Sequence, residues 1–270
     1  TKEAGDILLG ASYRKEEDKI DGGFAGVFAQ ITDTYFQRYG DQTKYLSKIA
    51  AKNHKNGAVN PYAHMQVDLG FDFCNKVSEK NPLVAPPLKR SDCSMISDGA
   101  AALIIADDEL ALEAERAISF KARVQMNDLM PMSKRDKTEF RGASLSWKKA
   151  LSDARVNLMD LSFVETHDCF TIAELIEYEA MGLTQRGEGY KVLEEGTVYK
   201  DGKLPINPSG GLKAKGHPVG ATGVSQHVMA CMQLVGEAKD MQIKDASLGG
   251  IFNMGGSAVA NYVSILERKS

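Results

Sequence analysis

The 270-residue sequence has few of the features that mark membrane, nucleic-acid-binding or secreted proteins. Its longest apolar run, around Ala100–Ala106, is far shorter than the roughly 20 residues needed to cross a bilayer. A formal net charge of -3 argues against broad binding of nucleic acid. The N-terminal residues lack the basic and apolar regions of a signal peptide. These absences favour a globular protein that binds neither a membrane nor nucleic acid.

Cysteine is scarce and scattered. Cys74, Cys93, Cys169 and Cys231 form no CxxC pair, so the sequence indicates neither a disulfide framework nor a metal site. This usage favours a reducing compartment. The C-terminal "LERKS" carries no peroxisomal tripeptide, so we expect the protein in the cytoplasm.

Strand-like and helix-like patterns alternate along the chain. Apolar spacing predicts a helix over 24–39 that ends at Gly40, and a second helix capped by Thr43. Its basic residues Lys48, Lys52 and Lys55 are interpreted as a solvated face, with contact to phosphates as the alternative. An apolar run predicts a buried strand at Ala100–Ala106, and the C-terminal "GGIFNMGGSAVANYVSILERK" repeats that plan as a faint echo. Strands that alternate with helices predict an α/β fold with sites at strand ends and helix N-termini.

The segment "ETHDCF", residues 165–170, is one candidate site. It ends a strand and precedes a helix that Thr171 can cap, so His167 and Cys169 lie where the helix amides concentrate positive potential and lower the pKa of a thiol. On the residues alone, a small buried cysteine beside a structural histidine is an equally good interpretation.

The segment "KGHPVGATG", residues 215–223, is a second candidate. His217 precedes a proline, and the flanking glycines permit tight turns before a helix begins. An imidazole held in this way can act on a thiol or a carbonyl oxygen. The alternative is a loop that cradles phosphate, in which the histidine is incidental. The "NMGG" segment that begins at Asn253 either frees backbone amides for a ligand or is a plain turn.

Four segments in this order, "SDGAAALI", "HDCF", "NPSGGLKAKGHPVGATG" and "NMGGSAVANYVSILER", resemble the motifs of the thiolase superfamily. The chain is most similar to the sterol-carrier-protein type and to related bacterial and archaeal acetyl-CoA acetyltransferases. The resemblance implies a five-layer αβαβα fold of two similar halves, with the N-terminal half incomplete. Residues 1–117 would be the remainder of that half, with a loop domain at about 20–90, and residues 118–270 would be the C-terminal half.

The resemblance also implies ligands, partners and residue roles. Coenzyme A thioesters would be substrates, with no separate cofactor, and the assembly would be a homodimer or homotetramer. His217 matches the GHP histidine that activates the nucleophile and helps to form an oxyanion hole. His167 and Phe170 would line the same pocket, and Ser94 aligns with a serine near the pantetheine.

The C-terminal CxG motif of classical thiolases is altered in this chain. Asn253 replaces its cysteine and is expected to contact the substrate. Cys169 is therefore expected to inherit the acid/base role at the substrate α-carbon, as in the sterol-carrier type. Gly255 matches the CxG glycine and would supply a backbone amide to a second oxyanion hole.

None of the four cysteines has the context of the family's acyl-carrying nucleophile, which the resemblance places upstream of Thr1. One interpretation is an acyltransferase, either an acetyl-CoA acetyltransferase or a 3-ketoacyl-CoA thiolase, completed by an N-terminal segment or another subunit. This chain alone would then be inactive. The other is a non-catalytic scaffold that binds coenzyme A or lipid. A cysteine among small residues upstream of Thr1 would favour the enzyme.

Overall fold

The computed structural model describes residues 2–114 and 116–269, in which helices and strands are interspersed. The helices are α1 (Lys2–Leu8), α2 (Arg14–Glu17), α3 (Gly23–Tyr39), α4 (Thr43–Ala58), α5 (Gly70–Asn75), α6 (Asp108–Glu113), α7 (Arg141–Ala154), α8 (Thr171–Ala180), α9 (Lys191–Glu194), α10 (Gly211–Lys215) and α11 (Thr222–Leu234). The strands are β1 (Leu83–Ala85), β2 (Leu88–Lys89), β3 (Ile118–Asn127), β4 (Phe163–Glu165), β5 (Leu248–Gly255) and β6 (Ala260–Arg268).

Four strands form the main sheet in the order β3-β6-β5-β4. Strand β6 pairs antiparallel with β3 and with β5, and β4 pairs parallel with β5. Strands β5 and β6 are the arms of one hairpin, whose turn places Gly256 and Ala258 at positive φ. The C-terminal segment that was predicted to hold one strand therefore holds two.

The two faces of this sheet are covered by different helices. Because successive side chains of a strand point to opposite faces, neighbouring residues of β5 enter different clusters. Phe252 packs in the large core that contains Trp147 of α7. Ile251 packs in a smaller cluster that contains Leu234 of α11. The sheet thus lies between α7 and α11, which confirms the predicted α/β class.

Helix α8 follows β4 and lies at the centre of the remaining helices. All of its residues are buried, and it contacts α3, α4 and α7. Helix α4 also crosses α10 closely, because Gly57 has no side chain: a Cβ there would overlap Ala214. This packing brings the α4 side chains against the segment that precedes α8.

The two predicted N-terminal helices are present, with one difference at a cap. Helix α3 matches the apolar spacing and ends at Gly40, whose φ of 85° requires glycine. The N-cap of α4 is Gln42 and not Thr43, and its side chain makes no capping hydrogen bond. Instead, Asp41 Oδ1 accepts the Thr43 N–H at 2.8 Å.

The prediction of a buried strand at Ala100–Ala106 is wrong. The described strands and bridges do not include these residues, and Ile104 and Ile105 are 99% and 78% exposed. A strand exists only when a second strand satisfies its backbone groups, and none of the described segments does so here.

None of the described helices is long and apolar enough to span a bilayer.

Candidate active site

The HDCF turn, residues 167–170, leaves the main sheet at the end of β4 and leads into α8. The N-cap of α8 is Phe170, which makes no side-chain capping hydrogen bond, so the prediction that Thr171 caps this helix is wrong. Thr171 is the first helical residue, and its hydroxyl donates to Asp92 Oδ1 at 3.0 Å. The turn is therefore fixed by its neighbours more than by a local cap.

His167 points from this turn towards the end of β5. Its Nδ1 lies 2.6 Å from Asn253 Oδ1 and 3.5 Å from the backbone nitrogen of Met254. The shorter contact, to an oxygen that can only accept, assigns the proton to Nδ1 and leaves Nε2 as the acceptor. Asn253 in turn packs against Gly223 at the start of α11, where a Cβ would come within 2.9 Å of the Asn253 amide nitrogen. The structure thus brings the predicted residues His167 and Asn253 into direct contact.

His217 faces His167 from the GHP turn, which lies between α10 and α11. The two rings are perpendicular, with centroids 5.0 Å apart. His217 Nδ1 lies 2.7 Å from Thr222 Oγ1, whose own hydroxyl donates to Pro218 O. Because that hydroxyl proton is already used, His217 Nδ1–H is the donor and Nε2 is a free acceptor. The backbone N–H of His217 donates to Ser97 Oγ at 3.2 Å.

Burial keeps both imidazoles neutral. Together with a smaller effect from the charge of Lys215, it lowers the pKa of His217 to about 4. Burial lowers the pKa of His167 to about 3, with a smaller effect from His217. Both imidazoles are therefore neutral at pH 7, and each has an unprotonated Nε2 that can accept a hydrogen bond.

Cys169 lies in the HDCF turn, but its thiol does not have the lowered pKa that the sequence predicted. The residue is 7% exposed. Burial raises the pKa of the Cys169 thiol well above its ordinary value, and the carboxyl groups of Glu177 and Asp168 raise it further. These influences outweigh the amides at the start of α8, so the thiol is protonated in the unliganded site.

The other predicted site residues lie close to this turn. Ser94 donates its backbone N–H to Cys169 O at 2.8 Å. The Phe170 ring is buried and stacks on Phe28 of α3, with centroids 4.4 Å apart. Gly255 is the last residue of β5 and pairs with Ala260 across the hairpin. His217, His167 and Asn253 thus converge, whereas the Cys169 side chain, two residues further along the turn, lies in the large core.

A buried polar network behind the HDCF turn was not predicted from the sequence. Lys52, interpreted there as solvated, lies in the core and forms an ion pair with Glu174 at 2.8 Å, both side chains being at most 1% exposed. Asn53 donates to Glu174 Oε2 at 2.6 Å and to Asp168 Oδ2 at 2.7 Å. Asn207 also donates to Glu174, at 3.2 Å. The network joins α4, α8 and the HDCF turn.

Solved structures share the fold of this chain. An "Ltp2-ChsH2(DUF35) aldolase" matches with a TM-score of 0.78 at 20% identity, over 90% of this chain and 63% of that one. A monomeric SCP2-thiolase like protein from Mycobacterium smegmatis matches with a TM-score of 0.64 at 16% identity, over 92% of this chain and 52% of that one. Both likenesses concern the fold.

Sequence comparisons then give the family. The family described as "Thiolase C-terminal domain-like" matches residues 125–268. An acetyl-CoA acetyltransferase of Methanothermobacter thermautotrophicus is 34% identical over 283 residues, covering 97% of this chain and 73% of the relative. Sterol carrier protein 2 of Homo sapiens is 35% identical over 242 residues, covering 86% of this chain and 43% of the relative. The chain belongs to the thiolase family, and it spans less than half the length of the sterol carrier protein relatives.

Proposed function

We propose that this chain is the major part of an acyltransferase that forms or cleaves carbon–carbon bonds between coenzyme A thioesters. The observation that carries the proposal is the perpendicular pair of neutral imidazoles, His167 and His217, beside the Cys169 turn. The similarity to archaeal acetyl-CoA acetyltransferases supports the same class of substrate. Both acetoacetyl-CoA formation and thiolysis of a 3-ketoacyl-CoA fit this chemistry.

In the proposed reaction, a cysteine upstream of Thr1 attacks the thioester carbonyl. His217 Nε2 accepts the thiol proton, the C–S bond of the substrate breaks, and coenzyme A leaves with that proton. Cys169 then passes its proton to His167 of the same turn and, as a thiolate, removes an α-proton from a second thioester. The resulting enolate attacks the acyl-enzyme carbonyl, the C–S bond to the upstream cysteine breaks, and the released sulfur takes the proton that the imidazole holds. Thiolysis runs through the same steps in reverse.

The remaining site residues would bind the substrate. A protonated His217 Nε2 would donate to one thioester oxygen, and the backbone amide of Gly255 to the other. Asn253 holds His167 at 2.6 Å and would fix it against that second oxygen. Ser94 and Phe170 would border the pantetheine, because Phe170 follows Cys169 in the chain and Ser94 donates its backbone N–H to Cys169 O.

The test compares Cys169→Ala with Cys231→Ala in the protein that includes the residues preceding Thr1. Cys231 is the matched control because it lies on α11 in the small cluster, away from the HDCF turn. C169A should lose thiolysis of acetoacetyl-CoA by about 100-fold or more, whereas C231A should stay within about twofold of wild type. Mass spectrometry should still find an acetylated upstream cysteine in C169A.

Two results would contradict parts of this proposal. Equal turnover in C169A and wild type would remove the acid/base role of Cys169. Coenzyme A binding without turnover and without acylation would favour the second candidate, a non-catalytic scaffold. The observation behind that candidate is an exposed apolar surface. The name of one solved structure with this fold, an "Ltp2-ChsH2(DUF35) aldolase", joins two components.

This surface is formed by the exposed run at residues 100–106 and by the adjoining half-buried residues of α11, a helix without a charged residue. Val228 and Met232 of α11, which also pack against Met229 and Met241, line a cavity of about 340 Å³ together with residues 99–102. We propose that a complementing N-terminal thiolase segment, in the same or another polypeptide, covers this surface, and that the complete protein is a homodimer or homotetramer.

A further inference from the structure

Asp168 lies between His167 and Cys169, and its carboxylate faces away from the site. It is completely buried. Its Oδ1 accepts the Leu212 N–H at 2.6 Å, and its Oδ2 accepts the Lys213 N–H at 3.1 Å. The side-chain amide of Asn53 donates to Oδ2 at 2.7 Å. Three N–H donors from two other segments of the chain therefore hold one carboxylate.

The segment that receives this carboxylate leads directly to His217. Leu212 and Lys213 belong to α10, a single helical turn after which Gly216 and His217 follow. Gly211 has a φ of 60°, and a Cβ there would overlap both carboxylate oxygens of Asp168. The close approach of the two turns thus depends on an unsubstituted backbone at Gly211.

Charged groups from each neighbouring element face Asp168. Lys52 of α4 and Lys213 of α10 favour its ionised form, whereas Glu174 of α8 opposes it. Burial is the largest influence and raises the pKa of Asp168, whereas the three N–H donors favour its ionised form. An enclosed carboxyl group that makes all of its hydrogen bonds to α10 and α4 has no path to a substrate. Its effect on the site is therefore one of position.

We propose that Asp168 is a positioning residue that fixes the HDCF turn to the GHP turn and so sets the distance between Cys169, His167 and His217. Its peptide links the first two of these residues, and its carboxylate is anchored to the helical turn that carries the third. The catalytic consequence rests on the proposed function, whereas the geometric one does not. Displacements of about 1 Å at a reacting group cost roughly 100-fold in rate.

Asp168→Asn tests this proposal. The amide retains one oxygen acceptor but presents an NH₂ group to an N–H donor in either orientation, because all three partners are donors. The matched control is Glu165→Gln, which changes another fully buried carboxyl group three residues away. Glu165 accepts the N–H and the hydroxyl of Ser209, and that hydroxyl can rotate to accept from an amide. E165Q should therefore keep its contacts.

The first measurement is independent of turnover. In full-length protein labelled at histidine, the ring protons of His167 and His217 should show a nuclear Overhauser contact in wild type and E165Q, and lose it in D168N. The second is kinetic: D168N should lower kcat about 100-fold and change KM by less than about threefold. E165Q, which keeps its hydrogen bonds, should lose less thermal stability than D168N and retain kcat within about threefold.

If D168N does not fold, Asn53→Ala replaces it, because this change removes one of the three donors to Asp168. It should weaken the ring contact and lower kcat by about 10-fold. If D168N or, in its place, N53A keeps the ring contact and loses no more kcat than E165Q, Asp168 is not a positioning residue. If the ring contact depends on Asp168 but wild type has no turnover, the positioning stands and the proposed function fails.

Discussion

Variants of the buried ion pair between Lys52 and Glu174 measure how much the network behind the site contributes to the free energy of unfolding. In Lys52→Met the aliphatic stem is retained, but the Glu174 carboxylate is left in the core without its cation. The carbonyl of Ile206, which accepts from Lys52 Nζ at 2.7 Å, also loses its donor. Removing one partner of a buried pair costs about 3–5 kcal/mol, so we expect K52M to lower the free energy of unfolding by about that amount.

A double-mutant cycle separates the coupling free energy of the ion pair from the cost of each single change. It uses urea denaturation of four proteins: wild type, K52M, Glu174→Gln and the double variant. A neutral glutamine has no charge to leave unpaired, so K52M should cost less in the E174Q background than in wild type. A coupling free energy of at least about 2 kcal/mol is expected. The reasoning is refuted if K52M costs less than about 1 kcal/mol, or if the two single costs add without coupling.

The other predictions concern α4. Burial lowers the pKa of His54 to about 3, against 6.5 for a free histidine. Below pH 6.5 the histidine is therefore protonated in the unfolded chain but stays neutral in the folded protein. The free energy of unfolding should fall by about 2 kcal/mol between pH 6.5 and about 5, and His54→Gln should remove this part of the slope in urea titrations; an unchanged slope would contradict it. Gly57→Ala should cost about 1–3 kcal/mol because its Cβ would overlap Ala214, whereas Gly10→Ala, which meets nothing within 4 Å, should not lower the melting temperature. Equal melting temperatures would show that the helices separate freely.

Local patterns in the sequence predicted the elements that depend on residues close together in the chain. The apolar spacing of 24–39 gave α3 and its end at Gly40, because both depend on residues within one helix. The ordered motifs led to His217, His167 and Asn253, and the structure brings these together. Such residues can be predicted because their chemistry is unusual at their own position in the chain.

Features that depend on distant partners were missed. Lys52 has the spacing of a solvated helix face, and its ion pair with Glu174 forms only when α4 packs on α8. Cys169 was expected to have a lowered pKa because its neighbours in the sequence include a helix start. The burial that raises that pKa comes from the fold. The run Ala100–Ala106 has strand composition, yet pairing depends on a second segment.

That exposed run also determines how the chain behaves in concentrated solution. Residues 99–106 contain no charge and no proline, and Ile104 and Ile105 project from the surface. Short uncharged apolar segments with free backbone groups pair edge to edge with copies of themselves and start aggregates. If these 270 residues are produced alone, this run will drive precipitation. A charged residue in place of Ile104, or production together with a segment that covers the run, should keep the protein soluble.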